Sequence, residues 1–345
     1  MKKLTAIVLS LVLVMAFCFT GCGSTSSNDS GEAVTEQKVL QLGHVNPGKE
    51  EDTYMQFANK FKDRIEELSG NTITVEIFSD SQLGTDREVI EGMQMGTVDM
   101  SISVNSTLGG FVPEMQVFDL PYLFAEREYA YQTFDNEELM SYFEDKLYDA
   151  GLKLLSVGDC GYRSVINNTK PIYTVDDLKG LKIRLPESAV LPATFSALGA
   201  SPTTMAYAEV VPAVQQGTID GLELPVPAAY SSGYQDICKY FSFTNHEFVP
   251  NPMLMSVSVW ETFSEEEQGW LEQAAQEAAE YERDYIQSIE AEEQAAMEEA
   301  GMEFNEVDDI NEFIEVARTV YDQFEDEIGE EAMNSVLDFV DSLGE

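Results

Sequence analysis

The sequence predicts an α/β fold of two lobes with a hinge, a cleft between the lobes and a long helix that spans both. Three observations predict it. Short β-like runs alternate with amphipathic helices in residues 39–104, a six-residue pattern recurs about 120 residues later, and residues 264–301 have the apolar spacing of one long helix.

The N-terminal elements follow the order strand, helix, strand, helix, strand. Each helix pattern ends at a glycine, Gly70 or Gly96, as is typical of a helix C-terminus. This order is typical of an open parallel sheet. The predicted elements are strands at 39–45, 72–79 and 99–104, and helices at 53–69 and 86–95.

A local repeat predicts that the second half has the same architecture. Residues 94–99 (QMGTVD) and 215–220 (QQGTID) both end a helix pattern with a glycine and begin a strand with two β-branched residues. One interpretation is two related α/β lobes that meet at a cleft, and the other is a chance similarity of six residues. The first predicts a protein that closes on a ligand by a hinge.

The long helix begins after Ser264, a plausible N-cap that precedes three glutamates. No proline interrupts the pattern before Gly301, so it predicts a helix of about 36 residues, roughly 54 Å long. The alternative is a coiled-coil or bundle segment. The apolar stripe consists of Leu271, Ala274, Ala278, Tyr281, Tyr285 and Ile289.

The N-terminus predicts export and a lipid anchor. Lys2 and Lys3 precede an apolar run at 4–19, and the next residues lead to Cys22 through Phe-Thr-Gly, which resembles a bacterial lipobox with phenylalanine where leucine is usual. We expect a lipoprotein signal peptide at 1–21, then a lipidated Cys22 and a flexible tether to residue 36. The alternative is an ordinary signal peptide with an incidental cysteine.

Composition excludes some partners. The formal net charge of −44 makes nucleic acid and anionic lipid poor partners. Two further cysteines, Cys160 and Cys238, predict either one disulfide or two buried thiols. No zinc spacing or cofactor fingerprint is present, so we expect neither a metal nor a cofactor.

Catalytic residues are scarce. The two histidines, His44 and His246, lie far apart in the sequence, and no catalytic motif surrounds them. His44 follows a β-like run, where it would line a cleft at the carboxyl end of a strand or lie capped on the surface. The sequence therefore favours a binding protein over an enzyme, with a secreted hydrolase that acts on a carboxylated or sugar substrate as the alternative.

Two arginines are better candidates for function. Arg184 lies in a short strand that Pro186 ends, and its side chain points away from the face of its apolar neighbours. Its planar fork can hold a carboxylate with two charged hydrogen bonds. Arg163 follows a β-like run at 153–157, where the chain would cross between the lobes. The alternative is that these arginines form structural salt bridges.

Five motifs, in order, resemble the solute-binding proteins of tripartite ATP-independent periplasmic (TRAP) transporters, the DctP-type family. This resemblance implies a periplasmic-binding-protein-like fold that closes on a small organic acid or sugar acid and delivers it to a separate membrane permease. The motifs are SQLG at 81–84, DLPYLF at 119–124, GLKIRLP at 180–186, LGASP at 198–202 and QGTIDGLE at 216–223.

The resemblance also implies the site. The family arginine that pairs with the ligand carboxylate falls on Arg184, a second family arginine falls on Arg163, and the aromatic residue that covers the ligand falls on Tyr207. Leu224 stands where many members have an asparagine that assists the arginine. The other expected ligand-binding residues are His44, Asn46, Asn105 and Ser106 in the first lobe and Glu187 in the second.

The predicted lobes are each discontinuous. Residues 37–161 and about 250–289 form lobe I, and residues 162–249 and about 290–345 form lobe II. We expect a monomer on the outer face of the cell membrane or in the periplasm, held to the bilayer through Cys22.

Overall fold

Nine strands form one mixed sheet in the computed structural model, which describes residues 37–344. The predicted signal peptide, Cys22 and the tether lie outside these residues. The sheet order is β2-β1-β3-β8-β4-β7-β5-β6, and β9 pairs with β8. The strands are β1 (Lys38–Gly43), β2 (Ile73–Phe78), β3 (Met100–Ile102), β4 (Leu152–Asn167), β5 (Lys182–Leu185), β6 (Ser201–Thr204), β7 (Gly221–Leu224), β8 (Tyr240–Ser256) and β9 (Glu303–Glu306).

Thirteen α-helices accompany the strands within residues 37–344. They are α1 (Thr53–Leu68), α2 (Asp86–Gln94), α3 (Asn105–Leu108), α4 (Arg127–Phe134), α5 (Glu137–Asp149), α6 (Val190–Ala197), α7 (Val210–Gln215), α8 (Val226–Ser231), α9 (Val257–Trp260), α10 (Glu265–Glu299), α11 (Ile310–Ala317), α12 (Tyr321–Ile328) and α13 (Glu330–Leu343).

Two parallel three-stranded units make the two lobes. In lobe I, β1 pairs in parallel with β2 and β3, and in lobe II, β5 pairs in parallel with β6 and β7. Two long antiparallel strands, β4 and β8, join the units, because β3 pairs with the carboxyl end of β8 and β7 with the carboxyl end of β4. The predicted two-lobed α/β fold is confirmed, although the joining strands make the whole sheet mixed rather than parallel.

The six-residue repeat marks equivalent positions in the two lobes. Helix α2 ends before Gly96 and α7 ends before Gly217, and these glycines have φ angles of 69° and 68°. Such left-handed backbone favours glycine because a Cβ atom would clash there. Each glycine leads into the third strand of its unit, β3 or β7, so the repeat reflects related local structure.

The crossing between lobes coincides with an irregularity in the sheet. The register of β4 against β8 shifts between Asp159 and Tyr162 and again between Arg163 and Val165. A register shift interrupts the ladder of hydrogen bonds and bends the strand. The irregular part of β4 therefore lies where the strand passes from the parallel unit of β1–β3 to that of β5–β7.

Helix α10 confirms the predicted long helix, with 35 residues. Its N-cap Ser264 forms a reciprocal capping box with Glu267, and exposed Gly269 lies inside the helix without ending it. The helix contacts lobe I through the ion pair of Arg64 on α1 with Glu277. It also packs against α8 of lobe II. Across residues 37–344, no helix combines the length and apolar character that a membrane crossing requires.

The last two helices differ from the predicted lobe boundary. The sequence assigns residues from about 290 to 345 to lobe II. In the structure, Phe324 of α12 and Val336 of α13 belong to the apolar core that contains Met93 of α2 and Phe143 of α5. The C-terminal helices therefore pack on lobe I, because their apolar faces complete the core around α2, α4 and α5.

Candidate functional site

Arg184 is buried in the middle of β5, with 3% of its surface exposed. Its Nε and Nη2 donate hydrogen bonds to the carbonyl of Met205, at 3.1 and 2.7 Å. Its guanidinium carbon lies 5.7 Å from the ring centroid of Tyr207, in a cation–π contact. Within residues 37–344, no carboxylate lies within 4.0 Å of Arg184, so this buried cation forms no ion pair there.

Burial lowers the pKa of Arg184, and Glu223 opposes this shift while Arg163 adds to it. The direction means that the protein interior disfavours the charge on Arg184. A buried charge without a counter-ion is unfavourable, and an anion beside it would remove that penalty. The electrostatics therefore favour the binding of an anion at Arg184.

A cavity of about 40 Å³ opens beside Arg184, between the two lobes. A smaller cavity of about 20 Å³ shares Asp86, Arg184, Pro186 and Tyr207 with this larger cavity. Together they have room for several water molecules, which suits a small ligand. The larger cavity is lined by Val45, Asn46, Tyr54, Asp86, Val104, Cys160, Arg163, Arg184, Pro186, Tyr207, Leu224, Pro225, Ala228 and Val249.

Arg163 also lines the larger cavity, but its charge has partners inside the protein. Its Nη1 donates to both carboxylate oxygens of Glu223, each at 2.9 Å, and its Nε lies 3.3 Å from Glu247. Burial alone would raise the pKa of Glu223, but Arg163 and His246 hold it below its usual value. Glu223 therefore remains ionised and neutralises Arg163.

A second buried acid, Glu247, lies beside Arg163. Burial raises the pKa of Glu247 well above its usual value, and the neighbouring Asp119 adds to this effect while Arg163 opposes it. The interior ion pair is thus mainly that of Arg163 with Glu223. Arg163 contributes its shape and hydrogen bonds to the cavity more than a net positive charge.

Two other predicted lobe II residues lie at the larger cavity. The Tyr207 hydroxyl is 2.6 Å from the Ser232 Oγ, which fixes the ring that covers Arg184. Leu224 is buried and lines the larger cavity as an apolar wall. Glu187 lines the smaller cavity, where its carboxylate accepts a hydrogen bond of 2.6 Å from Arg87.

The structure brings only one of the four predicted lobe I residues to the larger cavity. Asn46 lines it and donates to Asp52 at 3.2 Å. His44, Asn105 and Ser106 are buried but line neither cavity.

Local contacts explain why two of those side chains, Asn105 and His44, point elsewhere. Asn105 donates to the carbonyl of Met115 at 3.0 Å and to Asp119 at 2.7 Å. His44 lies 3.2 Å from the sulfur of Met55, and burial lowers its pKa to about 4, so it is neutral. The family resemblance implied ligand contacts for them, but partners in lobe I hold Asn105 and His44 in place.

The sequence interpretation missed Asp86 and Tyr54. Asp86 opens α2 and Tyr54 lies in the first turn of α1, and both side chains line the larger cavity. A useful signal was present, because the helix that follows a strand of a parallel sheet begins at the carboxyl edge, where ligands bind. Cys160 lines the same cavity and, like Cys238, is a buried free thiol, which is one of the two predicted alternatives.

Buried carboxyl groups predict a pH dependence of stability. Burial raises the pKa of Asp52 and of Asp86 to about 6, of Asp119 to about 7 and of Glu293 to about 8. In this range the folded protein binds more protons than the unfolded chain, so stability falls as pH rises.

We therefore expect a higher melting temperature at pH 6 than at pH 8, without added ligand, in differential scanning calorimetry. His44 opposes the trend below pH 6.5, because only its unfolded form gains a proton there. Burial alone would raise the pKa of Asp177, but Lys170 and the amides of Thr174 and Tyr173 lower it to about 2. Asp177 therefore affects stability only in stronger acid. A higher melting temperature at pH 8 would contradict the raised pKa values assigned to these carboxyl groups.

The chain is similar to proteins that bind solutes outside the cytoplasm. Residues 42–327 match the DctP family model, described as "Bacterial extracellular solute-binding protein, family 7". The 2,3-diketo-L-gulonate-binding periplasmic protein YiaO of Escherichia coli (strain K12) is 34% identical over 249 residues, which are 71% of this chain and 75% of that protein.

Two solved structures of TRAP periplasmic solute-binding proteins have the same fold. The protein of Polaromonas sp. JS666, bound to D-erythronate, has a TM-score of 0.83 and 31% identity, over 87% of this chain and 98% of that one. The protein of Sulfurospirillum deleyianum, with bound succinate, has a TM-score of 0.81 and 28% identity, over 87% of this chain and 98% of that one.

Proposed function

Because the chain belongs to bacterial extracellular solute-binding protein family 7, whose members are receptors of transporters, we propose that Arg184 holds the carboxylate of the small organic anion that this receptor captures. The observation that carries the proposal is the buried Arg184, which has no acidic partner within the described residues and lines a cavity between the lobes. Delivery would be to the separate membrane permease of a TRAP transporter.

Contacts between the lobes support capture by closure. Ser231 of lobe II donates to Asp52 of lobe I at 2.8 Å, and Lys49 donates to the carbonyl of Ser231 at 2.6 Å. At the smaller cavity, Arg87 of lobe I contacts Glu187 of lobe II. Only a closed form lets both lobes contact one ligand, so binding energy favours closure and shifts the population towards it.

A thermal-shift screen followed by calorimetry tests this function. The panel contains carboxylic acids, sugar acids, amino acids and neutral sugars. A ligand that binds only the folded state raises the melting temperature, and the rise grows with the logarithm of the ratio of ligand concentration to Kd. We expect stabilisation by one or more carboxylates and none by neutral sugars. Stabilisation by neutral sugars alone would contradict the proposal. The hydrolase alternative has no support from the family or its relatives, and turnover on an ester or glycoside panel would be needed to revive it.

We further propose that Cys22 anchors the protein to the outer face of the cell membrane and that the protein acts as a monomer. The predicted lipobox and the polar tether at 22–36 support the anchor. We expect Cys22→Ser to move the protein from the membrane fraction to the medium or the periplasm, with its ligand affinity unchanged. Retention of Cys22→Ser in a detergent-extracted membrane fraction would contradict lipidation at this residue.

A further inference from the structure

We infer that a cavity in lobe I, outside the cleft, binds a small organic ammonium ion with an apolar body. The cavity has a volume of about 380 Å³ and lies between the end of α4, helix α5, strand β4 and helix α10. None of the residues that line it lines either of the two cavities beside Arg184. The inference therefore goes beyond the proposed function, and it rests on the shape, the apolar wall and the charge of this second site.

The cavity lies where one edge of β4 has no neighbouring strand within the described residues. Strand β8 pairs with β4 on one side, whereas on the other side β7 pairs only with residues 164–167. Helix α10 is attached to β4 at two points. Arg283 donates hydrogen bonds to the Val157 carbonyl at 3.2 and 2.7 Å, and Glu272 forms an ion pair of 2.9 Å with Lys153. The cavity fills the gap between these two attachments.

A register shift in β4 shapes one wall of the cavity. The pairing of β4 with β8 shifts between Leu154 and Ser156. In a regular strand, successive side chains point to opposite faces, yet all four residues at 154–157 line this cavity. Such irregularities occur often beside functional sites, where they redirect side chains. The irregular strand therefore forms one continuous wall.

Most of the wall is apolar. Leu154, Leu155 and Val157 of β4 are buried, as is Met140 of α5, and half-buried Phe134 lies beside them. An apolar ligand surface placed against these side chains would leave water, which is favourable. The flexible side chain of Met140 can adapt to the shape of a ligand. The wall thus favours a ligand with an apolar body over a bare ion.

One polar group interrupts this wall. Ser156 is 7% exposed, and its Oγ is buried without a hydrogen-bond partner in residues 37–344. A buried hydroxyl group without a partner is unfavourable, and its oxygen can accept a hydrogen bond from an ammonium N–H. Ser156 therefore supplies an acceptor at the wall that no described residue uses.

The charge of the lining is negative. Three carboxylates line the cavity, and no lysine or arginine of the described residues lines it. Asp135 is paired with Arg283 at 2.8 Å. Within residues 37–344, Glu137 and Glu144 have no cation within 4.0 Å and accept no side-chain hydrogen bond. A cation in the cavity would therefore meet two carboxylates that have no counter-ion in the protein.

The electrostatics at Glu144 point in the same direction. Limited hydration raises its pKa, and Lys153 opposes this shift. The carboxylates of Glu272, Asp145 and Glu137 raise the pKa further. Negative neighbours that disfavour the charge on a carboxylate favour the binding of a cation beside it.

An organic ammonium ion fits these features better than a metal ion. Within the part of the chain that the structure describes, no group of three or more acidic, histidine or cysteine residues could hold a metal. An ammonium group can instead donate its three N–H bonds to separate oxygen atoms while its apolar body lies against β4 and α5.

A matched pair of molecules tests the preference for a cation. 2-Phenylethylamine is a cation at about pH 7.5, and 2-phenylethanol has the same number of non-hydrogen atoms without the charge. We expect isothermal titration calorimetry to give 2-phenylethylamine a Kd of about 1 mM or lower, and at least about tenfold below that of 2-phenylethanol.

Replacement of the two unpaired carboxylates tests the location of the site. Glu137→Gln combined with Glu144→Gln changes two exposed positions of α5. We expect 2-phenylethylamine to bind at least about fivefold more weakly to this double variant, and the Kd of 2-phenylethanol to change by no more than about twofold. Melting of the unliganded protein checks folding, and the two single variants replace the double variant if it is unfolded.

Two controls accompany this test. Glu138→Gln combined with Asp149→Asn removes two negative charges from exposed positions of the same helix that do not line the cavity. We expect this variant, and also Arg184→Ala in the cleft, to bind 2-phenylethylamine with a Kd within about twofold of the wild-type value.

The outcomes bear on this inference alone. Lack of 2-phenylethylamine binding at about 10 mM, equal affinity for the alcohol, or an unchanged Kd in the Glu137 and Glu144 variants would overturn it. Loss of 2-phenylethylamine binding in Arg184→Ala would place the amine in the cleft and would also overturn it. The proposed capture of an organic anion is decided separately, by the carboxylate screen.

Discussion

Replacing Arg184 with alanine is expected to weaken the binding of a carboxylate ligand at least roughly a hundredfold, because it removes two charged hydrogen bonds that contribute about 1.5–3 kcal/mol each. Its Nε and one proton of Nη2 are directed to Met205, so Nη1 and the other proton of Nη2 remain for the ligand. Isothermal titration calorimetry with the ligand found by the screen measures the loss.

Stability should change little in the same variant. Alanine removes the two hydrogen bonds to the Met205 carbonyl, but it also removes a buried charge that the protein interior disfavours. Arg184→Lys should bind poorly as well, because an ammonium lacks the planar fork. Lys182→Ala is the control, since it removes the same charge from an exposed position of the same strand β5. Unchanged affinity in Arg184→Ala would contradict the role of this residue.

Unlike Arg184→Ala, the replacement of Arg163 with methionine is expected to lower the free energy of unfolding, by about 3–5 kcal/mol. The substitution leaves Glu223 buried and without the guanidinium that now donates to both of its oxygens. Removal of one member of a buried ion pair is strongly destabilising because the other charge keeps its desolvation penalty. Urea unfolding of the unliganded protein measures the change in the free energy of unfolding.

A double variant provides the control for this prediction. Arg163→Met combined with Glu223→Leu removes both charges, and we expect it to recover more than half of the lost stability, because apolar residues can replace a buried ion pair at small cost. A single variant that loses less than about 1 kcal/mol, yet no longer binds ligand, would show that Arg163 acts mainly on the ligand.

The sequence separated Arg184 from its apolar neighbours on the strand, but it could not predict the charges that surround the arginines. Alternation along a short strand and the stop at Pro186 were enough to separate this side chain from its apolar neighbours. The partners of Arg163 are Glu223 and Glu247, which lie 60 and 84 residues away, and no local pattern connects them. The sequence could not distinguish a paired arginine from an unpaired one because that difference depends on tertiary contacts.

Two other differences between the sequence prediction and the structure have the same physical origin. The sequence predicted a β-like run at 153–157, but β4 extends over Leu152–Asn167, because buried partners compensate the polar Asp159 and Arg163 within it. Asp86 was interpreted only as the start of a helix, since the helix dipole already favours an acid in the first turn. Local sequence rules predicted the helices and strands well, whereas the role of each polar residue depended on the side chains that pack against it.

The long strands β4 and β8 also determine how the chain can assemble. On the side away from β1, β3 pairs with β8, which lies about 150 residues later in the chain. β4 pairs with β8 along most of its length. Until residues 240–256 have emerged, β3 and much of β4 present unpaired edges, which promote aggregation. Lobe I also lacks the core contributed by α12 and α13 until the C-terminus arrives. Products truncated before β8 are thus expected to be insoluble, and the chain must complete its folding after nearly all of it has been synthesised.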